Sequence, residues 1–125
     1  MLDSMEASAD GYLDDRAAQE VMGWVRGGPD DEFWVLGNAP TGLTSVFRMP
    51  VSRWRPTRDQ FCLDLLVEEL RSRGLAVKVG VAAEMEDGFA CTIAPSVDAA
   101  PVIAVTAQTL GLAVVAAAVA FHRRH

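Results

Sequence analysis

The stretch PTRDQ, residues 56–60, decides how the chain folds, because it is the clearest helix start in the sequence. Thr57 and Gln60 have the spacing of a capping box, and Asp59 places negative charge where the helix dipole is positive. Apolar residues then recur at helical spacing until a glycine follows. The sequence therefore predicts a middle helix over residues 57–73, with a buried stripe of Phe61, Cys62, Leu65, Leu66 and Leu70.

Two pairs of short strands flank this helix. Residues 33–36 and 44–49 are rich in aromatic and β-branched side chains, and glycines and a proline separate them at hairpin distance. Residues 76–81 and 89–93 have the same character, and Asp87-Gly88 between them is a hairpin signal. Each pair is predicted to be antiparallel.

The two ends of the chain differ from the centre. Residues 1–10 lack periodicity, so we expect a disordered N-terminus, whereas residues 11–23 carry apolar side chains at helical spacing and predict a short helix. Residues 99–121 contain no charge and precede a basic tail, residues 122–125. Their length and flank are compatible with a membrane anchor, but alanine is nearly neutral for insertion and several residues oppose it. We therefore favour a long C-terminal helix lying on a sheet.

These elements predict a single α+β domain over residues 11–121. An antiparallel sheet of about four strands would carry the middle helix and the C-terminal helix on it. The outer side of the helix over residues 99–121 would then be unusually apolar, which predicts a homo-oligomer formed through that helix.

Charge and cysteine content exclude several classes of protein. The net charge is −6, with −7 on residues 1–32 and +1 on residues 33–125. Such a balance argues against a protein that binds polymeric nucleic acid or an anionic membrane through its overall field. The N-terminus has no basic start and no apolar run of a signal peptide, and the two cysteines, Cys62 and Cys91, lie in apolar stretches. A cytoplasmic protein with two buried free thiols is expected.

Most catalytic signatures are missing from the sequence. It contains no phosphate-binding loop, no dinucleotide fingerprint and no nucleophile elbow. His122 and His125 belong to the basic tail, and Glu84, Glu86 and Asp87 are more typical of a polar turn than of a metal site. We predict no catalytic residue, metal ligand or cofactor, and we favour a non-enzymatic protein.

One concentrated positive patch remains, immediately before the middle helix. Guanidinium groups pair with phosphate, a helix start offers N–H groups, and an indole face can stack on a base. The competing interpretation is that the tryptophan is a core anchor and the arginines pair with acidic residues or with solvent. The candidate site for phosphate and base consists of Arg48, Arg53, Trp54, Arg55, Thr57 and Arg58.

Four short pieces of the chain, between about residue 12 and residue 120, resemble the phage ABA-sandwich domain family of small phage and prophage proteins. They are VMGW at 21–24, WRPTRD at 54–59, the hairpin around Gly88-Phe89 and an alanine-rich last helix after a proline-containing loop. The resemblance implies an α+β layered fold, and the family has no settled activity to carry over. The long uncharged final helix departs from the family pattern, which leaves the oligomeric state open.

Three functions are compatible with these sequence features. The first is a non-enzymatic phage or prophage protein that sequesters a small anionic ligand, such as a nucleotide signal in host defence. The second is a ligand-free interaction or structural protein that binds partners through its acidic first segment and apolar last helix. The third, a metal-dependent hydrolase using the acidic hairpin, ranks last because no histidine is placed to help.

Overall fold

The computed structural model describes residues 3–7, 11–27, 30, 32–36, 48–83 and 86–124. Within them the chain forms seven strands and three α-helices, the first of which continues as a π-helix over Ala17–Val21. The elements in order are β1 (Asp3–Ala7), α1 (Gly11–Arg16), β2 (Trp24–Gly27), β3 (Phe33–Leu36), β4 (Arg48–Pro50), a 3₁₀ turn (Val51–Arg53), α2 (Gln60–Ser72), β5 (Ala76–Val81), β6 (Phe89–Ala94), β7 (Ile103–Ala107) and α3 (Leu110–Arg124).

The strands form two sheets. The larger has the order β1-β7-β6-β5, in which β1 runs parallel to β7 and the other pairs are antiparallel. The smaller has the order β2-β3-β4 and is antiparallel throughout. The predicted mixed α+β class is confirmed, and so are the antiparallel pairing of β5 with β6 and of β3 with β4.

Helix α3 is the centre of the core. It packs on β6 and β7, with α2 along one side and the first helix along the other. Every residue from Gly111 to Ala120 is buried, because small side chains let neighbouring elements approach α3 from all around. At Gly111 the approach is closest, since a Cβ there would lie 2.4 Å from the carbonyl oxygen of Thr57.

The predicted helix over residues 99–121 is wrong in its first part, where β7 stands instead. Ile103, Val105 and Thr106 are β-branched and favour a strand. The helix begins only after Thr109, whose hydroxyl oxygen accepts a hydrogen bond from the backbone N–H of Leu112 at 3.2 Å. The expectation that one side of this helix is exposed and apolar is also wrong, because α3 is buried within a single chain. Oligomerisation through this helix was inferred from that exposed side and therefore stays an untested prediction.

Both chain ends are more regular than predicted. Residues 3–7, expected to be disordered, form β1 beside β7, in a pairing of backbone groups that hydrophobic periodicity does not reveal. The basic tail continues α3 as far as Arg124, and Arg123 donates hydrogen bonds to Glu20 (2.9 Å) and to the hydroxyl of Tyr12 (3.1 Å).

The predicted strand segment 44–47 lies outside the described residues. In the part of the chain described, no helix has both the length and the apolar character that crossing a membrane requires.

The middle helix differs from its prediction at the start. It begins at Gln60, and its N-cap is Asp59 rather than Thr57. Its fully buried residues are Cys62, Leu63, Leu66 and Leu70.

Candidate functional site

The segment that precedes α2 is fastened to the first helix by Asp14. The backbone N–H and the hydroxyl of Thr57 donate hydrogen bonds to the two carboxylate oxygens of Asp14, at 3.0 and 2.9 Å. The indole N–H of Trp54 donates to the backbone carbonyl of Asp14 at 2.8 Å. Asp14 and Thr57 are 7% and 5% exposed, so this clamp joins two helices through a buried polar contact.

Trp54 and Thr57 therefore belong to the framework and are not available to a ligand. Trp54 is only 2% exposed, and its ring packs edge-on against Trp24 with centroids 4.6 Å apart. A buried indole cannot stack on a nucleotide base. The structure thus removes two of the six predicted site residues, for the reason given by the competing interpretation of Trp54 as a core anchor.

The start of α2 is also less open than predicted. The carboxylate of Asp59 accepts hydrogen bonds from the backbone N–H groups of Phe61 (2.8 Å) and Cys62 (3.2 Å). These donors, which an anion would need at a helix end, are already satisfied by the chain itself. An anion at this place must depend on side chains.

Arg53 and Arg55 do share a concave surface, which we call the arginine groove. It is an open cleft of about 740 Å³ between β4 and the start of α2. Both arginines are exposed, and neither forms an ion pair with any residue that the structure describes. The rest of its lining is Met49, Pro50, Ser52, Asp59, Phe61 and Cys62.

The other two predicted arginines do not complete this groove. Arg58 is exposed, does not line the groove and has an interaction of its own. Arg48 lies in β4 next to Met49, and its side chain is outside the described part of the chain. The structure therefore brings together two of the four guanidinium groups that the sequence placed in one patch.

Phe61 is the groove residue whose burial was predicted wrongly from the sequence. It was predicted to be buried, yet it is 66% exposed, while Leu63 takes its place in the core. The signal was present, because the residues three and seven positions after Phe61 are Asp64 and Glu68, which marks a solvent-facing side of the helix. In the groove, its phenyl ring is the exposed aromatic surface that Trp54 does not provide.

The thiols have the buried character that was predicted. Burial raises the pKa of the Cys62 thiol, whose Sγ donates to the backbone carbonyl of Arg53 at 3.2 Å. Burial also raises the pKa of Cys91 to about 12. Neither thiol is activated as a nucleophile, because only the thiolate attacks.

Metal chemistry finds no support among the residues that the structure describes. They contain no group of three or more histidine, cysteine or acidic side chains able to hold an ion. Glu86 and Asp87 are exposed in the hairpin turn between β5 and β6, and Asp87 has a positive φ of 56°. Glu84 and His125 lie outside the described residues.

Comparison of the chain with family models, with curated proteins and with solved structures found no match.

Proposed function

We propose that the protein is a non-enzymatic binding protein that sequesters a small anionic ligand, a nucleotide, in the arginine groove. The guanidinium groups of Arg53 and Arg55 would hold the phosphate, and the phenyl ring of Phe61 would contact the base. As an accessory protein of a phage or prophage, the origin that the resemblance implies, it would withhold a nucleotide signal of host defence.

The observation that carries this proposal is a pair of cations in one cleft, neither of which forms an ion pair with a residue that the structure describes. The two guanidinium groups outweigh the one carboxylate of the lining, Asp59, so the cleft keeps a net positive charge that favours an anion. The groove also offers apolar surface from Met49, Pro50 and Phe61. Mixed lining of this kind suits a ligand with one charged end and one flat end.

Binding rather than turnover fits the chemistry of the groove. Asp59 is engaged in capping α2, and burial keeps Cys62 protonated. The remaining candidate nucleophile of the groove, the hydroxyl of Ser52, has no general base beside it among the lining residues other than Asp59. The groove therefore supplies recognition groups and no activated reacting group.

The test is a thermal-shift screen of mono-, di- and cyclic nucleotides, followed by calorimetric titration of each hit. A ligand at a hundred times its dissociation constant stabilises by about 2.7 kcal/mol, which moves the melting temperature by several degrees. We expect Arg53→Gln and Arg55→Gln each to weaken binding at least tenfold. Phe61→Ala should also weaken it, by about 1 to 3 kcal/mol if the ring stacks on the base.

Arg71→Gln is the matched control, because Arg71 is exposed on α2 but does not line the arginine groove. It should bind like the unmodified protein. The three arginine variants should melt close to the parent without ligand, since exposed guanidinium groups contribute little to stability. Phe61→Ala should do so as well, because the ring is 66% exposed and contributes little to the core. An empty screen, or equal losses in the control and the groove variants, would refute the proposed site.

A second candidate, a protein that acts by association with other chains, is favoured by a different surface. Val79 and Val81 of β5 are 55% and 80% exposed, which is unusual for valines in a strand. If the nucleotide screen fails, this surface becomes the main functional feature.

A further inference from the structure

Strand β5 forms a free edge of the larger sheet. In the described part of the chain it pairs only with β6, so one row of its backbone groups has no strand beside it. Unpaired edges are templates for further strands, and proteins that leave them free protect them with charges, prolines or bulges. β5 contains no proline and one charged residue, Lys78.

The register shows which residues offer their backbone to this edge. The N–H of Ala82 donates to the carbonyl of Gly88 at 3.1 Å, in the register that pairs Val81 with Phe89. Because residues alternate in an antiparallel ladder, Lys78 and Gly80 also bond toward β6. The N–H and C=O groups of Val77, Val79 and Val81 therefore point outward.

The side chains beside this edge are apolar. On the face that carries the helices, Val79, Val81 and Phe89 are 55%, 80% and 36% exposed. Next to them lies an open groove of about 420 Å³ between α2 and β5, in which Val77 and Val79 meet Leu63 and Val67. The surface thus has protruding apolar side chains at one end of the strand. At the other end is a groove lined by apolar side chains together with Gln60, Asp64, Glu68 and Arg71.

We propose that this edge binds a second copy of the chain, with the two β5 strands antiparallel and Val79 on the two-fold axis. Val77 then lies opposite Val81 of the partner subunit, and the two larger sheets join into one continuous sheet. Each protruding Val81 comes to lie beside the partner's apolar groove. The outward backbone groups of all three valines find partners in this one register.

Charge and space select the same register. Lys78 lies opposite Gly80 of the partner subunit, and the position of the missing Cβ at Gly80 has no atom within 4 Å, which leaves room for the lysine stem. A register shifted by one residue on each strand would place Lys78 directly opposite its own copy, and like charges in that position are destabilising.

The size of the seam predicts how tightly the copies associate. A six-residue strand is about 20 Å long, and a sheet with its helix layer is about 20 Å deep. Each face would then bury about 400 Å² and the two together about 800 Å², a size at which association is weak and transient. We therefore expect a concentration-dependent dimer that dissociates in the micromolar range.

Sedimentation velocity across about 5 to 500 μM tests the dimer. We expect a monomer at the low end, a dimer at the high end, and a dissociation constant raised at least tenfold by Val81→Lys. Val97→Lys is the matched control, because Val97 is 78% exposed and belongs to the loop between β6 and β7 rather than to the β5 edge. Its dissociation constant should equal that of the parent.

A second pair of variants tests the backbone pairing. Val79→Pro removes an outward N–H and should abolish the dimer while circular dichroism still shows the folded chain. Val79→Cys should give a disulfide-linked dimer on mild oxidation, since paired residues of this kind have Cα atoms about 5.5 Å apart, whereas Val97→Cys should not. The cysteine variant gives a result even if the proline variant fails to fold.

A chain that stays monomeric at 500 μM overturns the proposal, and so does a dimer that Val81→Lys and Val97→Lys affect equally. Capture of strand-forming peptides by a monomeric chain would also overturn it, in favour of a foreign strand as the occupant.

Discussion

Replacing Gly111 with alanine separates helix propensity from tertiary packing in α3. Alanine is favoured over glycine inside a helix by about 1 kcal/mol, so propensity alone predicts that Gly111→Ala stabilises the protein. The structure predicts the opposite sign. An added Cβ would lie 2.4 Å from the carbonyl oxygen of Thr57, 2.7 Å from its carbonyl carbon and 2.8 Å from the carbonyl oxygen of Pro56.

These three atoms belong to the backbone, which cannot turn aside as a flexible side chain can. The segment that holds them is itself fixed, because Thr57 is hydrogen-bonded to Asp14. Relief requires α3 or this segment to move by roughly half an ångström or more, and inserting a methyl into a packed core costs about 1 to 3 kcal/mol. Because the added methyl meets three backbone atoms, the cost should lie in the upper part of this range, at about 2 to 3 kcal/mol. After the gain in propensity of about 1 kcal/mol, we expect Gly111→Ala to be destabilising by about 1 to 2 kcal/mol.

Urea and thermal unfolding at low micromolar concentration measure this effect. For a chain of 125 residues the expected loss corresponds to a fall in melting temperature of roughly 3 to 8 °C. Gly80→Ala is the control, because its added Cβ would meet no atom within 4 Å. It should leave the melting temperature unchanged or slightly higher, and a Gly111→Ala variant that melts above the parent would refute the close approach.

Three further predictions concern polar and titrating groups. Thr57→Val should cost about 1 to 3 kcal/mol of unfolding free energy, because a carboxylate oxygen of buried Asp14 loses its donor, and Thr57→Ser should recover most of it in urea melts. The hydrogen bond from Arg123 lowers the pKa of Glu20, so the ion pair should add stability above about pH 4.5 and lose it as the pH falls further; the urea midpoint of Glu20→Gln should therefore fall less than that of the parent on acidification. Burial raises the pKa of Cys91 to about 12, and alkylation at pH 8 should label this thiol only in denaturant.

Local signals predicted the parts of the fold that local interactions determine. The β5–β6 hairpin followed from its turn residues, and the middle helix from its apolar spacing. The exact cap did not follow, because Thr57 and Asp59 are both good capping residues. The choice between them depends on Asp14, which is 43 residues from Thr57 in sequence.

The elements that failed are those whose structure depends on distant partners. Residues 103–107 contain β-branched side chains that favour a strand, but the uncharged alanine-rich run that follows them concealed this signal, and the pairing with β1 and β6 on either side stabilises the strand. In the same way, the sequence of residues 3–7 does not predict a strand. These residues form one because their backbone pairs with β7, whose edge would otherwise be free. Periodicity contains no information about such an edge.

The candidate site failed in part for a related reason. Sequence proximity placed Trp54, Thr57 and the arginines in one patch, but the chain turns at residues 56–58, and neighbouring residues of this segment point in different directions. The indole and the hydroxyl turn inward, where the core and Asp14 hold them. Of the six residues that proximity in sequence grouped, Arg53 and Arg55 line the groove, whereas Trp54 and Thr57 are buried.

The same division explains why substitutions that test the proposed binding should leave the folding of this segment intact. Trp54, Pro56 and Thr57 are buried, while Arg53 and Arg55 between and before them are exposed. The buried residues fix the path of the backbone, and this path determines the positions from which the side chains of Arg53 and Arg55 extend into the groove. An arginine that contributed to folding would be paired or covered, and these two are neither within the described structure. Their substitution can therefore alter what the groove binds with little change in the stability of the chain that presents it.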